Sequence, residues 1–339
     1  MGPFRAVPRV RQGSTRPLTK PPSSPRYEVA APDSVLDTTR VRHAWNLPDP
    51  LATAVARTED DARIVLRRHG NPAGPRLVLS HGNGLATDLY YPFWSLLTSR
   101  FDLVLYDLRN HGCNPPNDTG NHDVATIARD NDRIFRAIGR HFGEKTWTGV
   151  FHSLSAVAAL NQAPPGGGAA ALVLFDPPIF PSSGDPLEID ALWQRLRIVT
   201  RLRQGRFEDR AQFAATFSRS PMFSRAVPGL AELAARVLLR PATNGGGYEL
   251  CCPLEYEARI FEYIFAYNYE PDPGKIPCPV KVIGGDPTVP FSFLPSIDPA
   301  GATGFRYDFV PETTHFLQLE NPAECAAIML RFLEQQGLA

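Results

Sequence analysis

The chain has 339 residues, 43% hydrophobic and 21% charged, enough for one large α/β domain with an insertion or for two average domains, with a sizeable core in either case. Thirty-five basic residues balance 35 acidic ones, which leaves no net field to gather nucleic acid or an anionic membrane. No run approaches the ~18 apolar residues of a membrane span; Cys113, Cys251, Cys252, Cys278 and Cys325 have no C-x-x-C spacing, and the eight histidines have no paired ligand spacing. The expectation is a soluble, cytoplasmic protein with no metal, no cofactor and a small-molecule partner, its oligomeric state left open.

The opening "MGPFRAVPRVRQGSTRPLTKPPSSPR" has basic residues and prolines but no acidic residue. It cannot form a packed core and reads as a disordered tail over residues 1–30. Next, "ARIVLRRHG", "RLVLSHGNG" and "FDLVLYDLRNHG" are β-rich runs closing on glycine turns. "DLYYPFWSLLTSR", between the second and third, has helical spacing. "ATIARDNDRIFRAIGRHFG" reads as an amphipathic helix with Ile127, Ile134, Phe135 and Ile138 inward and Asp130, Asp132 and Arg133 in water. "KTWTGVFHS" is then a strand, "LSAVAALNQA" a helix and "AALVLFDPPIF" a strand. This alternation makes an α/β fold with a doubly wound, mostly parallel sheet.

The alternation stops after Pro181. Residues 181–272 read as a helical, aromatic-rich insertion without buried strands, and its cluster Phe261, Tyr263, Phe265, Tyr267 and Tyr269 either as the lining of an apolar pocket or, the more common use of aromatic residues at these spacings, as the insertion's own core. Strands return in "CPVKVIGGDP" and "GFRYDFVPETTHF". The division is therefore a sheet domain over 31–180 and 273–339, with the insertion lying as a cap over the strand ends, where open α/β sheets bind ligands.

At "GVFHSLSA" a serine stands between a strand and a helix. A sharp turn there exposes Ser153 Oγ, and the helix N-terminus offers N–H groups to developing negative charge. Serine is too weak an acid to attack unaided, so it needs a base within hydrogen-bond reach and a carboxylate to orient that base. The bland reading of Ser153 is a helix N-cap.

These segments resemble the α/β-hydrolase superfamily, in particular its capped, esterase- and lipase-like serine hydrolases. "HSLS" resembles the nucleophile elbow, usually G-x-S-x-G, with Phe151 in place of the small residue two before the serine. "LSHGNG" resembles the oxyanion loop, "YDLRNHG" a frequent D-x-R-x-x-G segment, "GGDPTVP" the acid-bearing turn and "THFLQLENP" the terminal histidine segment. The resemblance implies Ser153 as nucleophile, His315 as base and Asp286 as the acid. Asp176, after the earlier strand, is the alternative acid, at a place used by relatives such as haloalkane dehalogenases. It implies the backbone N–H groups of Asn83 and Leu154 as oxyanion donors. His81 and His152 take structural roles, His152 pointing away from the pocket, and Asp107 and Arg109 brace sheet and loop. The expected activity is cleavage of an ester, lactone or related apolar acyl compound. Alternatives on the same site are cofactor-free C–C bond hydrolysis or dioxygenation, and non-catalytic binding of a small molecule.

Overall fold

The computed structural model describes residues 45–117, 119–179, 185–267, 272–289 and 305–339. The expected tail lies outside them, as does the first junction expected between sheet domain and cap, at 180/181; the second, at 272/273, opens the described stretch 272–289. Strands β1 (Ala52–Arg57), β2 (Arg63–Gly70), β3 (Arg76–Ser80) and β4 (Asp102–Tyr106) come first. The link from β3 to β4 carries α1 (Tyr91–Trp94) between two 3₁₀ turns, Thr87–Tyr90 and Ser95–Leu97, in place of the single helix its spacing suggests. Helix α2 (Val124–Phe142), β5 (Trp147–His152), α3 (Leu154–Leu160) and β6 (Ala171–Phe175) follow.

Between β6 and the next strand of this sheet lies the insertion. It contains α4 (Pro186–Leu202), β7 (Arg206–Phe207), α5 (Arg210–Arg219), α6 (Leu230–Val237), β8 (Leu239–Pro241), β9 (Tyr248–Leu250) and α7 (Leu254–Tyr263). The short strands β7, β9 and β8 form a three-stranded antiparallel sheet of their own, so this region is not purely helical. The chain closes with β10 (Val280–Gly284), β11 (Arg306–Phe309), α8 (Leu317–Glu320) and α9 (Pro322–Gln335).

The main sheet runs β1-β2-β4-β3-β5-β6-β10-β11. Its first two pairings are antiparallel and the rest parallel. Side chains alternate across a strand, so Leu77 and Leu79 enter the core shared with α1 and α9 while Val78 enters the opposite core, shared with α2 and α3. Both faces are covered, which is why β3, β4, β6 and β10 are buried at every position.

Helix α2 starts where the Asp123 carboxylate accepts the Thr126 N–H at 2.7 Å. Ile127, Ile134 and Ile138 are buried as expected. Asp130 is not in water: it is buried and takes both arms of the Arg109 guanidinium, Nε at 2.6 Å and Nη2 at 2.7 Å. Desolvation alone makes a buried charge costly, and the bidentate partner offsets that. Phe151 is also fully buried, packed with Tyr106 and Phe135 on the α2 side of the sheet. A Cβ on Gly149 would stand 2.5 Å from its ring, so the small residue needed near the elbow sits two positions earlier in the same strand. Among the described residues no helix is long and apolar enough to cross a membrane.

Candidate active site

Ser153 leaves β5 at φ 51°, ψ −114°, a conformation that costs a non-glycine residue about 1–3 kcal/mol. Its surroundings over-determine it. The Ser153 N–H donates to the Phe175 carbonyl of β6 at 2.9 Å, and its carbonyl accepts the Val157 N–H that starts α3 at 3.0 Å. Ser155 Oγ donates to the His152 carbonyl at 2.9 Å and accepts the His152 N–H at 3.0 Å, closing the turn from inside. All of α3 is buried, and each buried aliphatic side chain is worth about 1.5–3 kcal/mol, more than enough to hold the strain. The hydroxyl makes no capping hydrogen bond to α3, which removes the N-cap reading.

Ser153 Oγ instead lies 3.0 Å from His315 Nε2. His315 Nδ1 lies 2.6 Å from Asp176 Oδ2, and since a carboxylate at this site accepts, Nδ1 carries the hydrogen and Nε2 has its lone pair toward the serine. Asp176 is 3% exposed and stands at φ 39° just past β6; its other oxygen accepts the Gly285 N–H at 3.3 Å.

The expected acid, Asp286, is not at His315. Its Oδ1 accepts the Thr288 N–H at 2.8 Å and the Thr288 hydroxyl at 2.7 Å, and its Oδ2 accepts the Glu312 N–H at 2.9 Å. The Glu312 N–H first, then Thr288, hold its carboxyl below the usual aspartate value. Asp286 thus clamps its own turn to the loop before His315, and the place beside the imidazole belongs to Asp176, the alternative.

His152 is structural, but it lines the cavity rather than pointing away from it. Its Nε2 is 2.9 Å from the His315 carbonyl, so that nitrogen carries the hydrogen, and its Nδ1 accepts from the Tyr90 hydroxyl at 2.7 Å. Tyr90 in turn accepts the Gly82 N–H at 3.3 Å. Burial holds the His152 imidazole well below its ordinary pKa, so it stays neutral and keeps this pattern. Tyr90 carries no local sequence signal for such a role; only the tertiary packing of the 3₁₀ turn brings it here. Asp107 accepts the Thr87 N–H at 2.7 Å and Arg67 Nη1 at 2.9 Å, the bracing expected of it.

The amides of Asn83 and Leu154 have no acceptor among the described residues, Leu154 being the first residue of α3. Both border the same cavity as Ser153 and His315. Its volume of about 110 Å³ is several times the ~10–15 Å³ that admits one water. Apolar side chains of α4 and α7, among them Trp193, Leu196, Ile260 and Phe261, form most of the far wall. Phe261 therefore faces the cavity rather than only the insertion's core. Tyr263 is exposed, and Tyr269 and the Phe265 side chain lie outside the described residues. Glu257 of α7 is buried and paired with Arg203 at the cavity edge. Gly84, at φ +73°, passes so close that a Cβ there would lie 2.6 Å from the Glu257 carboxylate. Among the described residues no three His, Cys, Asp or Glu side chains converge as a metal set would.

The chain belongs to the α/β hydrolase family, whose profile matches residues 77–328. Solved structures of similar fold include E-2-(acetamidomethylene)succinate hydrolase, at 19% identity and a TM-score of 0.63 over 84% of this chain and 100% of that one. A thioesterase domain from the curacin biosynthetic pathway has 17% identity and a TM-score of 0.61 over 82% and 98%. A thermophilic esterase from Thermogutta terrifontis has 16% identity and a TM-score of 0.59 over 84% and 99%.

Proposed function

We propose that the protein is a serine hydrolase of an ester, lactone or related apolar acyl compound, with Ser153 as nucleophile, His315 as base and Asp176 as the acid that orients it. The observation that carries this reading is the unbroken line from Ser153 Oγ through His315 Nε2 and Nδ1 to Asp176 Oδ2, at 3.0 and 2.6 Å, on a strained turn. Residues 181–272 serve as the cap, and the apolar wall of α4 and α7 suits an apolar acyl group.

Ser153 Oγ attacks the substrate carbonyl carbon as its proton passes to His315 Nε2. Asp176 stabilises the resulting imidazolium through Nδ1, and the carbonyl π pair becomes an oxyanion facing the Asn83 and Leu154 N–H groups. Collapse expels the alcohol, which takes the proton from Nε2, and leaves the acyl group on Ser153. Water, deprotonated by the same Nε2, attacks the acyl carbon, and the acid leaves as the proton returns to Oγ.

A fluorophosphonate should label Ser153, located by mass spectrometry, and Ser153→Ala should abolish labelling and cut turnover of p-nitrophenyl esters or lactones by a factor on the order of 10⁶. Retention of more than a tenth of the activity would take Ser153 out of the mechanism. Turnover of a carbon acid by a protein whose Ser153 resists the label would transfer the site to chemistry in which His315 takes its proton from the substrate.

A further inference from the structure

Two histidines outside the proposed triad stitch the loop Gly82–Gly84 to the segment after β4, each reaching into the other's segment. His81 precedes the loop glycine; its Nδ1 lies 2.8 Å from the Gly82 carbonyl, and its Nε2 accepts the Leu108 N–H at 3.0 Å. His111 lies in the opposite segment; its Nδ1 is 2.8 Å from the Arg109 carbonyl, and its Nε2 accepts the Gly84 N–H at 3.0 Å. A carbonyl only accepts, so both rings carry their proton on Nδ1 and present a lone pair at Nε2. Both are completely buried, and their centroids are 5.1 Å apart. On its other side His111 meets His122 at 5.6 Å, which in turn meets Tyr256 of α7 at 5.3 Å.

The consequence is read amide by amide. The Gly82 N–H is taken by Tyr90 and the Gly84 N–H by His111. The amide between them, that of Asn83, is the one of the three without an acceptor among the described residues, while the Asn83 side chain is tied down by its Nδ2 donating to the Glu257 carbonyl at 2.9 Å. A loop with glycines on both sides of the donor has wide φ/ψ freedom. Fixing the outer amides selects which N–H the loop leaves for a ligand.

We propose that His111 is a positioning residue for the oxyanion hole: by accepting the Gly84 N–H it locks the loop so that the Asn83 N–H remains the free donor to the reacting oxygen. This rests on the serine hydrolase reading, and it assigns to the histidine of "RNHG" a role in transition-state binding without contact to the substrate. The ring acts through its Nε2 lone pair and not through charge or volume. A side chain that restores an acceptor at the same reach therefore restores the function.

The test compares the full-length wild type with His111→Leu, which fills space but accepts nothing, and His111→Gln, whose Oε1 falls near the place of Nε2. The readouts are the second-order rate of Ser153 labelling by a fluorophosphonate, kcat and KM for one p-nitrophenyl ester, and melting temperature. Losing an oxyanion donor outright costs about 10²–10³ in kcat; His111→Leu, which frees the loop, should lose on the order of 10² in kcat and in labelling rate with KM little changed. His111→Gln should recover most of that. Wild-type labelling in folded His111→Leu would overturn the proposal, as would equal losses in the two variants. Should the leucine variant not fold, His111→Asn, whose amide is too short to reach Gly84, takes its place with the same expectations. If the wild type itself resists the label, the hydrolase reading fails, and amide exchange decides the brace. Faster exchange at Gly84 in the variant than in wild type sustains the brace, and unchanged exchange ends it.

Discussion

Two aspartates end neighbouring parallel strands, Asp176 after β6 and Asp286 after β10, and only one reaches the histidine. Both are buried, at 3% and 8% exposure, so burial does not separate them. What separates them is the residue two places on. Asp286 is followed by Pro287 and Thr288, and Thr288 supplies an N–H and a hydroxyl at 2.8 and 2.7 Å, the local turn that aspartate forms whenever a donor is offered at that spacing. Asp176 is followed by Pro177 and Pro178, and a proline has no N–H to give. Its carboxylate stays free of its own turn and reaches across to His315. An acid is thus made available for long-range work by what its neighbours cannot donate.

The largest effect that bears on this contrast is Asp176→Asn. Asparagine tolerates the positive φ at this position as aspartate does, so the backbone is preserved while the charge and the fixed tautomer of His315 are lost. We expect kcat to fall by roughly 10⁴ with KM little altered, and adding Ser153→Ala should cost far less than it does alone, because the members act as a unit. Steady-state kinetics of the two single variants and the double check this. Near-normal turnover in Asp176→Asn, with a steep fall in Asp286→Asn, would reverse the contrast.

The contrast also marks how much of the molecule is legible in its sequence. Alternating β-rich and helical runs define a sheet covered on both faces, and the strand, serine, helix context places Ser153 without help from the fold. His315 follows from its position after the last strand. The carboxylate beside it does not, because two strands end in Asp-Pro and the sheet order that brings β6 beside β5 is a tertiary fact; the Pro178 against Thr288 difference is the one local signal that favours Asp176. The small sheet of β7, β8 and β9 is illegible for another reason: strands of two or three residues are too short to display a period of two. Tyr90 and His111 are ordinary residues of a turn and a loop until packing carries them to the loop Gly82–Gly84. Asp130 stands three residues after Ile127 and four before Ile134, so helical spacing puts it on the buried face of α2; its charge is what points to water, and the Arg109 partner that lets it stay buried is not written in the helix.

A smaller effect tests the local argument directly. Pro178→Thr gives Asp176 the donors that Asp286 already has. A local hydrogen bond of this kind is worth about 1 kcal/mol, so competition for the carboxylate should slow kcat by roughly fivefold to tenfold, with the melting temperature held. Pro178→Ala, which restores only the N–H, should fall between Pro178→Thr and wild type. If neither variant slows turnover, the proline is incidental and the geometry of Asp176 is set by its strand alone.

The smallest effect concerns what Asp286 does where it stands. Its carboxyl is held below the ordinary aspartate value by the Glu312 N–H and by Thr288. The folded state then binds this proton more weakly than the unfolded chain does. Stability from this group is fully present above an unfolded pKa of about 3.9 and drains away as pH falls through the lower folded value. Asp286→Asn removes that dependence. It keeps an amide oxygen for Thr288 but weakens the hold on the Glu312 N–H, so the loop before His315 loosens slightly. The variant should melt a few degrees lower at neutral pH, and the gap to wild type should narrow as the pH is taken below about 4. Turnover should stay within a few-fold of wild type, since the carboxylate touches neither His315 nor the cavity. Melting curves from pH 3 to 7 on both proteins decide it. A gap that widens on acidification would mean that the carboxyl is protonated more readily in the fold than in the unfolded chain, which the three donors around it forbid.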